Sequence, residues 1–140
     1  MNDTRKEYET AILERYFPKR YVFASIKNQS VLQVGIKSQS AKVYQLCVVL
    51  PVDYPNAMPD VFIVFPKALK DCNGKSIKAF SHEFHTLECN KEKVQICHFL
   101  PSNWNPQKSL YLVIMKVKIW IESYEGHLST GKSISDFLKT

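Results

Sequence analysis

The sequence has no long apolar run. Its longest, around Leu110–Met115 and Cys47–Val52, are about six residues, far short of the roughly 20 that a helix needs to cross a bilayer, so no membrane span is expected. A signal-peptide pattern is also missing. The opening MNDTRKEYE mixes acids with bases and leads into no apolar stretch, which reads as a chain kept in the cytoplasm. Basic residues outnumber acidic ones, 19 to 13, for a net charge of +6. No basic run is longer than Arg5-Lys6 or Lys19-Arg20, however, so the dense stripe expected of a nucleic-acid binder is lacking. The balance leaves a solvated surface with some attraction for acidic partners. No repeat, low-complexity tract or linker divides the 140 residues, and their 45% apolar composition suffices for one core. Residues 1–140 are therefore read as a single domain. The four cysteines, Cys47, Cys72, Cys89 and Cys97, are expected as free thiols in a reducing compartment.

What is present changes period along the chain. Thr4 and Glu7 have capping-box spacing, and Tyr8, Ile12, Leu13, Tyr16 and Phe17 recur at helical intervals until Pro18. A first helix over Asn2–Phe17 follows, with Arg5, Lys6, Glu9 and Arg15 on its outer face. The period then becomes two. Tyr21–Lys27, Val31–Lys37, Val43–Leu50 and Val61–Phe65 read as four strands, with turns at Asn28–Ser30 and Ser38–Ser40. Three prolines in Pro51–Asp60 make that link a rigid crossing. Pro66–Val94 has no sustained period, and long irregular connections tend to be functional. Asn105 and Pro106 can open a second helix whose apolar face carries Leu110, Val113, Ile114, Val117, Trp120, Ile121 and Tyr124, with Gly126 ending it. A short final helix could start near Ser133. The fold class is α+β: a four-stranded antiparallel meander packed on two helices.

The stretch Val94–Pro106, VQICHFLPSNWNP, concentrates the chemistry. It puts Cys97 at the end of a short apolar run, with His98 beside it, and then turns through Pro-Ser-Asn to Trp104. A thiol held on irregular backbone beside a packed tryptophan is a candidate nucleophile; the competing reading is an inert buried cysteine. A small thiolate fraction at neutral pH is enough to attack an already activated carbonyl, so no base is required and His98 is read as structural or modulating. Cys47 is assigned to the core and Cys72 to an exposed turn. Trp104 and Tyr54 are assigned as packing anchors. The crowding of Cys72, His82, His85, Cys89, Cys97 and His98 raises structural zinc as an alternative, although the spacings miss the usual paired-ligand patterns.

The order of elements, the YPNAMP crossing (Tyr54, Pro55, Pro59), the lone Cys97 and the Trp104–Pro106 helix start together resemble the ubiquitin-conjugating enzyme superfamily, from about Thr4 to Tyr124. That resemblance implies its UBC-like fold and a ubiquitin-like modifier, or a modified protein C-terminus, carried as a thioester on Cys97 and passed to an amine. No metal or small-molecule cofactor is implied. The family's His-Pro-Asn element is absent, its positions being held by Leu87 and Cys89. His85-Thr86 is the nearest substitute as oxyanion stabiliser, ahead of Asn90, Asn103 and backbone N–H groups. The shortened C-terminus and the segment WIESYEGHLSTGK resemble the divergent bacterial branch, found beside ubiquitin-activating-like enzymes or in anti-phage operons that modify a cyclic-nucleotide synthase. The implied partners are an activating-like enzyme, docked on Arg5, Lys6 and Arg15, and such a synthase. A non-catalytic interaction module of the same fold is the other alternative.

Overall fold

A computed structural model describes residues 1–138. The first helix, α1, runs Asp3–Tyr16, and its cap is Asn2, whose side-chain oxygen accepts the Arg5 N–H at 2.8 Å. That bond replaces the expected Thr4–Glu7 box, because an acceptor one step upstream already satisfies an orphan donor of the first turn. The inward face also differs. Arg5 and Glu9 belong to the i, i+4 row of Leu13 and turn inward with it; Glu9 and Leu13 are 0% exposed, whereas Tyr8 and Tyr16 are half exposed.

The sheet has six antiparallel strands, not four. They are β1 (Tyr21–Ile26), β2 (Gln29–Lys37), β3 (Val43–Val49), β4 (Asp60–Phe65), β5 (Thr86–Cys89) and β6 (Val94–Ile96). Their spatial order is β1-β2-β3-β4-β6-β5. The expected meander is β1–β4, and the two extra strands come from the stretch read as irregular. With four and three residues, and a register slip between Thr86 and Cys89, they are too short for a period of two to be heard. The β1–β2 link is a two-residue turn at Lys27-Asn28, with φ of 51° and 65°, the left-handed pair whose twist suits a tight hairpin.

The long helix α2 covers Leu110–Thr130, later at both ends than expected. Ser109 caps it, accepting the Leu112 N–H at 3.2 Å, and Asn105 instead closes a turn by accepting from Gln107 N–H at 3.0 Å. Gly126 is inside the helix. A Cβ there would lie 2.9 Å from the Phe137 ring, so the glycine makes room for the last helix, α3 (Ile134–Leu138). The stop is Gly131, at φ 77°, a conformation that favours glycine.

One face of the sheet carries the core. Leu32, Val34, Leu46, Val48, Val61, Ile63, Val94 and Ile96 join Val113, Ile114, Val117, Trp120 and Ile121 of α2 in a single buried cluster. Each fully buried aliphatic side chain contributes about 1.5–3 kcal/mol, so α2 rather than α1 secures the sheet. Cys47 is not in this core. It alternates to the opposite face, half-buried and paired in register with Phe62. Among the described residues, no helix is long and apolar enough to cross a membrane.

Candidate active site

Cys97 is the first residue after β6, where the ladder stops and the chain turns toward α2. Its side chain is partly exposed and its thiol is free. Its N–H donates to the carbonyl of His85 at 3.0 Å, so the residue before β5 holds the thiol's backbone. His85 sits at φ 52° and Phe80, at the start of the same loop, at φ 50°. Histidine enters this left-handed region more readily than most residues, whereas a phenylalanine there is uncommon. Phe80 is 78% exposed, leaving an apolar ring uncovered on the loop that holds Cys97.

The other thiols differ. Burial pushes the Cys47 thiol up, only partly offset by the Lys93 charge, and burial likewise pushes Cys89 up. Both are thereby poorer sources of thiolate. Cys72 is exposed on the Asp71–Gly74 turn, as expected.

His85 and Thr86 have different surroundings. The His85 ring packs on His82 at 5.4 Å; its pKa is lowered by burial and by the neighbouring His82 charge, favouring a neutral imidazole. Thr86 is buried, and its hydroxyl donates to the Lys78 carbonyl. That proton is not free for an oxyanion, so Thr86 serves as an anchor under the loop in this structure. Asn90 lies in the β5–β6 turn, at the opposite end of the ladder from Cys97, accepting the N–H groups of Glu92 and Lys93 at 2.8 and 3.1 Å. Asn103 ends the 3₁₀ turn Pro101–Asn103, its N–H on the Leu100 carbonyl at 2.9 Å. Among the described residues, the backbone N–H groups of His98 and Phe99 take no acceptor.

A column of rings stands behind this segment. His98 meets Phe99 edge-on at 5.7 Å, Phe99 meets Trp104 at 5.8 Å, and Trp104 meets Tyr54 at 6.3 Å. Trp104 Nε1–H donates to the Pro55 carbonyl at 2.9 Å, so both expected anchors hold the loop to the proline-rich crossing. Burial lowers the His98 pKa, against smaller raising effects from the Ile96 carbonyl and Asp60. Its Nε2 is buried without a hydrogen-bond partner among the described residues.

At the foot of the column lies a group that the helical stripe did not reveal. The Glu9 carboxylate accepts from the Tyr54 hydroxyl, from Arg5 Nε–H at 3.1 Å and from the Leu110 N–H at 3.1 Å. Burial pushes the Tyr54 phenol up, and the bond to Glu9 pushes it further. Arg5 also donates to the carbonyls of Pro106 and Lys108, the latter at 2.8 Å. Its guanidinium is therefore turned inward, leaving Lys6 and Arg15 as the bases on the outer face. The i, i+4 spacing of Arg5, Glu9 and Leu13 was the available signal.

The cysteines and histidines are not gathered for metal. Among the described residues, no group of three or more His, Cys, Asp or Glu could hold an ion. No family model matches the chain, and neither the curated proteins nor the solved structures yield a match.

Proposed function

We propose that the chain is a UBC-like conjugating enzyme that carries a ubiquitin-like modifier, or a modified protein C-terminus, as a thioester on Cys97 and transfers it to an amine. The observation that carries this reading is the setting of Cys97: a free, partly exposed cysteine just past a strand end, its N–H held by the His85 carbonyl and the next residue, His98, starting a column of packed rings. Its sulfur would form a bond to the activated carbonyl carbon as the donor's thiol leaves. The amine nitrogen would then attack the same carbon, and the Cys97 sulfur would leave as thiolate. Splitting the transfer in two lowers each barrier.

The oxyanion formed at each step requires donors. The free N–H groups of His98 and Phe99, the Asn103 amide and the neutral His85 imidazole are the available ones, with Thr86 fixing the loop beneath His85. An activating-like enzyme would supply the modifier, meeting Lys6 and Arg15 of α1. In an anti-phage operon of the cytoplasm, a cyclic-nucleotide synthase would receive it. The chain would be mixed with modifier and activator from its own operon and run on a non-reducing gel. A thiol-labile adduct is expected for wild type and none for Cys97→Ala; an adduct that persists in the alanine variant refutes the assignment. The commitment of the Thr86 hydroxyl favours one second reading, a non-catalytic interaction module, which would bind the modifier equally well with or without the thiol.

A further inference from the structure

The buried Glu9 carboxylate has no part in the chemistry proposed above, and its burial requires an explanation. A carboxylate fully removed from water is costly unless every oxygen is used. Here its donors come from three places: Arg5 on its own helix, Tyr54 on the crossing between β3 and β4, and Leu110 at the first turn of α2. Glu9 therefore caps α2 from another helix, supplementing Ser109. Arg5 extends the hold by donating to the Pro106 and Lys108 carbonyls, which fixes the turn between Trp104 and α2.

The hold does not stop at the turn. Tyr54 is both the Glu9 donor and the ring against which Trp104 packs. Trp104 packs on Phe99, and Phe99 on His98, the residue after Cys97. Lys108, whose carbonyl accepts from Arg5, reaches back with its ammonium 4.9 Å from the Phe99 ring centroid. Two routes thus lead from one inward-turned ion pair to the same ring, that of Phe99, two residues beyond the thiol.

We propose that Arg5 and Glu9 are positioning residues for Cys97: their buried pair sets the Tyr54–Trp104–Phe99 column and, through it, the exposure and orientation of the thiol. The proposal rests on the conjugation reading for its purpose, not for its test. An exposed patch of α1 would have no such reach; this pair acts because it is turned inward. Glu9→Gln keeps the shape but replaces one acceptor oxygen with an NH₂ that faces donors. Tyr54→Phe keeps the rings and removes only the hydroxyl that ties them to Glu9.

Two readouts separate positioning from general loss of stability. The first is the rate at which iodoacetamide labels Cys97 in the native protein, read by peptide mass spectrometry with Cys72 as an internal reference. The second is the pair of indole N–H resonances, since Trp104 donates to Pro55 near the site and Trp120 donates to Phe84 in the core. In Glu9→Gln, local loosening should raise Cys97 labelling about fivefold or more while Cys72 is unchanged. The Trp104 resonance should shift and the Trp120 resonance should stay. Tyr54→Phe should move both readouts in the same direction by less, and it serves alone if Glu9→Gln does not fold. Val34→Ala, a core truncation on β2, should leave the Cys97 rate unaltered.

Cys97 labelling that is unchanged in folded Glu9→Gln or Tyr54→Phe, or that rises equally in Val34→Ala, overturns the proposal. Labelling needs no modifier, so the two readings fail separately. If labelling responds to Glu9→Gln but wild type forms no thiol-labile adduct with its modifier and activator, the positioning stands and the conjugation reading falls. An adduct formed normally with labelling unaltered has the reverse meaning.

Discussion

The two ends of α2 are held by different chemistry. At the N-terminal end, a buried carboxylate accepts the Leu110 N–H and an arginine binds the carbonyls of the preceding turn. At the C-terminal end, Gly131 closes the helix with its N–H on the His127 carbonyl, and the buried His127 ring bridges two other segments. Its Nδ1 meets the Lys132 carbonyl at 2.7 Å and its Nε2 accepts the Cys72 N–H at 3.1 Å, a pattern that requires the neutral imidazole. One end is fixed by formal charges at the foot of the ring column that ends at His98. The other is fixed by a neutral ring that meets Phe84 edge-on at 5.4 Å. The difference teaches that one helix can be secured by formal charges at one end and by a neutral ring at the other.

The largest expected effect tests the charged end. Glu9→Gln should cost about 3 kcal/mol, since it turns a charged acceptor of several buried donors into an amide; urea denaturation checks it, and a loss under 1 kcal/mol would remove the pair from the account. His127→Phe tests the other end. It strands the Cys72 N–H and the Lys132 carbonyl, for an expected cost of about 1–3 kcal/mol, and should leave Cys97 labelling at the wild-type rate.

A third contact lies between these ends. The Tyr44 hydroxyl and Ser40 hydroxyl donate to Glu125 at 2.7 and 2.6 Å. Burial pushes the Glu125 pKa up, but these hydroxyl donors outweigh it and hold it below the ordinary value. Tyr44→Phe should therefore cost about 1 kcal/mol, by thermal denaturation, less than either change above. The smallest effect is that of pH. His85 and His98 both have pKa values lowered from 6.5 in the fold, chiefly by burial. The unfolded chain then binds more protons between the folded values and 6.5, so stability is complete above 6.5 and declines as pH falls through the folded values. Thermal melts from pH 7.5 downward should show that loss, and His98→Phe should flatten it.

Much of the fold was legible because long elements repeat their pattern often enough. Strands β1 to β4 and the apolar face of α2 are examples, with Val113, Val117 and Trp120 all buried as their spacing implies. Strands β5 and β6 were not legible, being three or four residues long and stable only through pairing that sequence does not display. Gly126 misled because a glycine that admits a neighbouring ring looks the same in sequence as one that ends a helix. Glu9 misled for a related reason: a charged residue is assigned to solvent until its partners, here distant in the chain, are known. At the site, Cys97 and Trp104 were visible from their local order. The commitment of Thr86 to Lys78 and the left-handed backbone at His85 arise from tertiary contacts and could not be.

The central claim, that Cys97 carries an acyl group, has a direct chemical test in Cys97→Ser. Charged with modifier and activator, wild type should gain the mass of the modifier less water and lose it on treatment with a thiol. The serine variant should gain the same mass as an oxyester that resists thiol and yields to hydroxide. A mass increase that maps by peptide analysis to a lysine, or that appears equally in Cys97→Ala, would contradict the account.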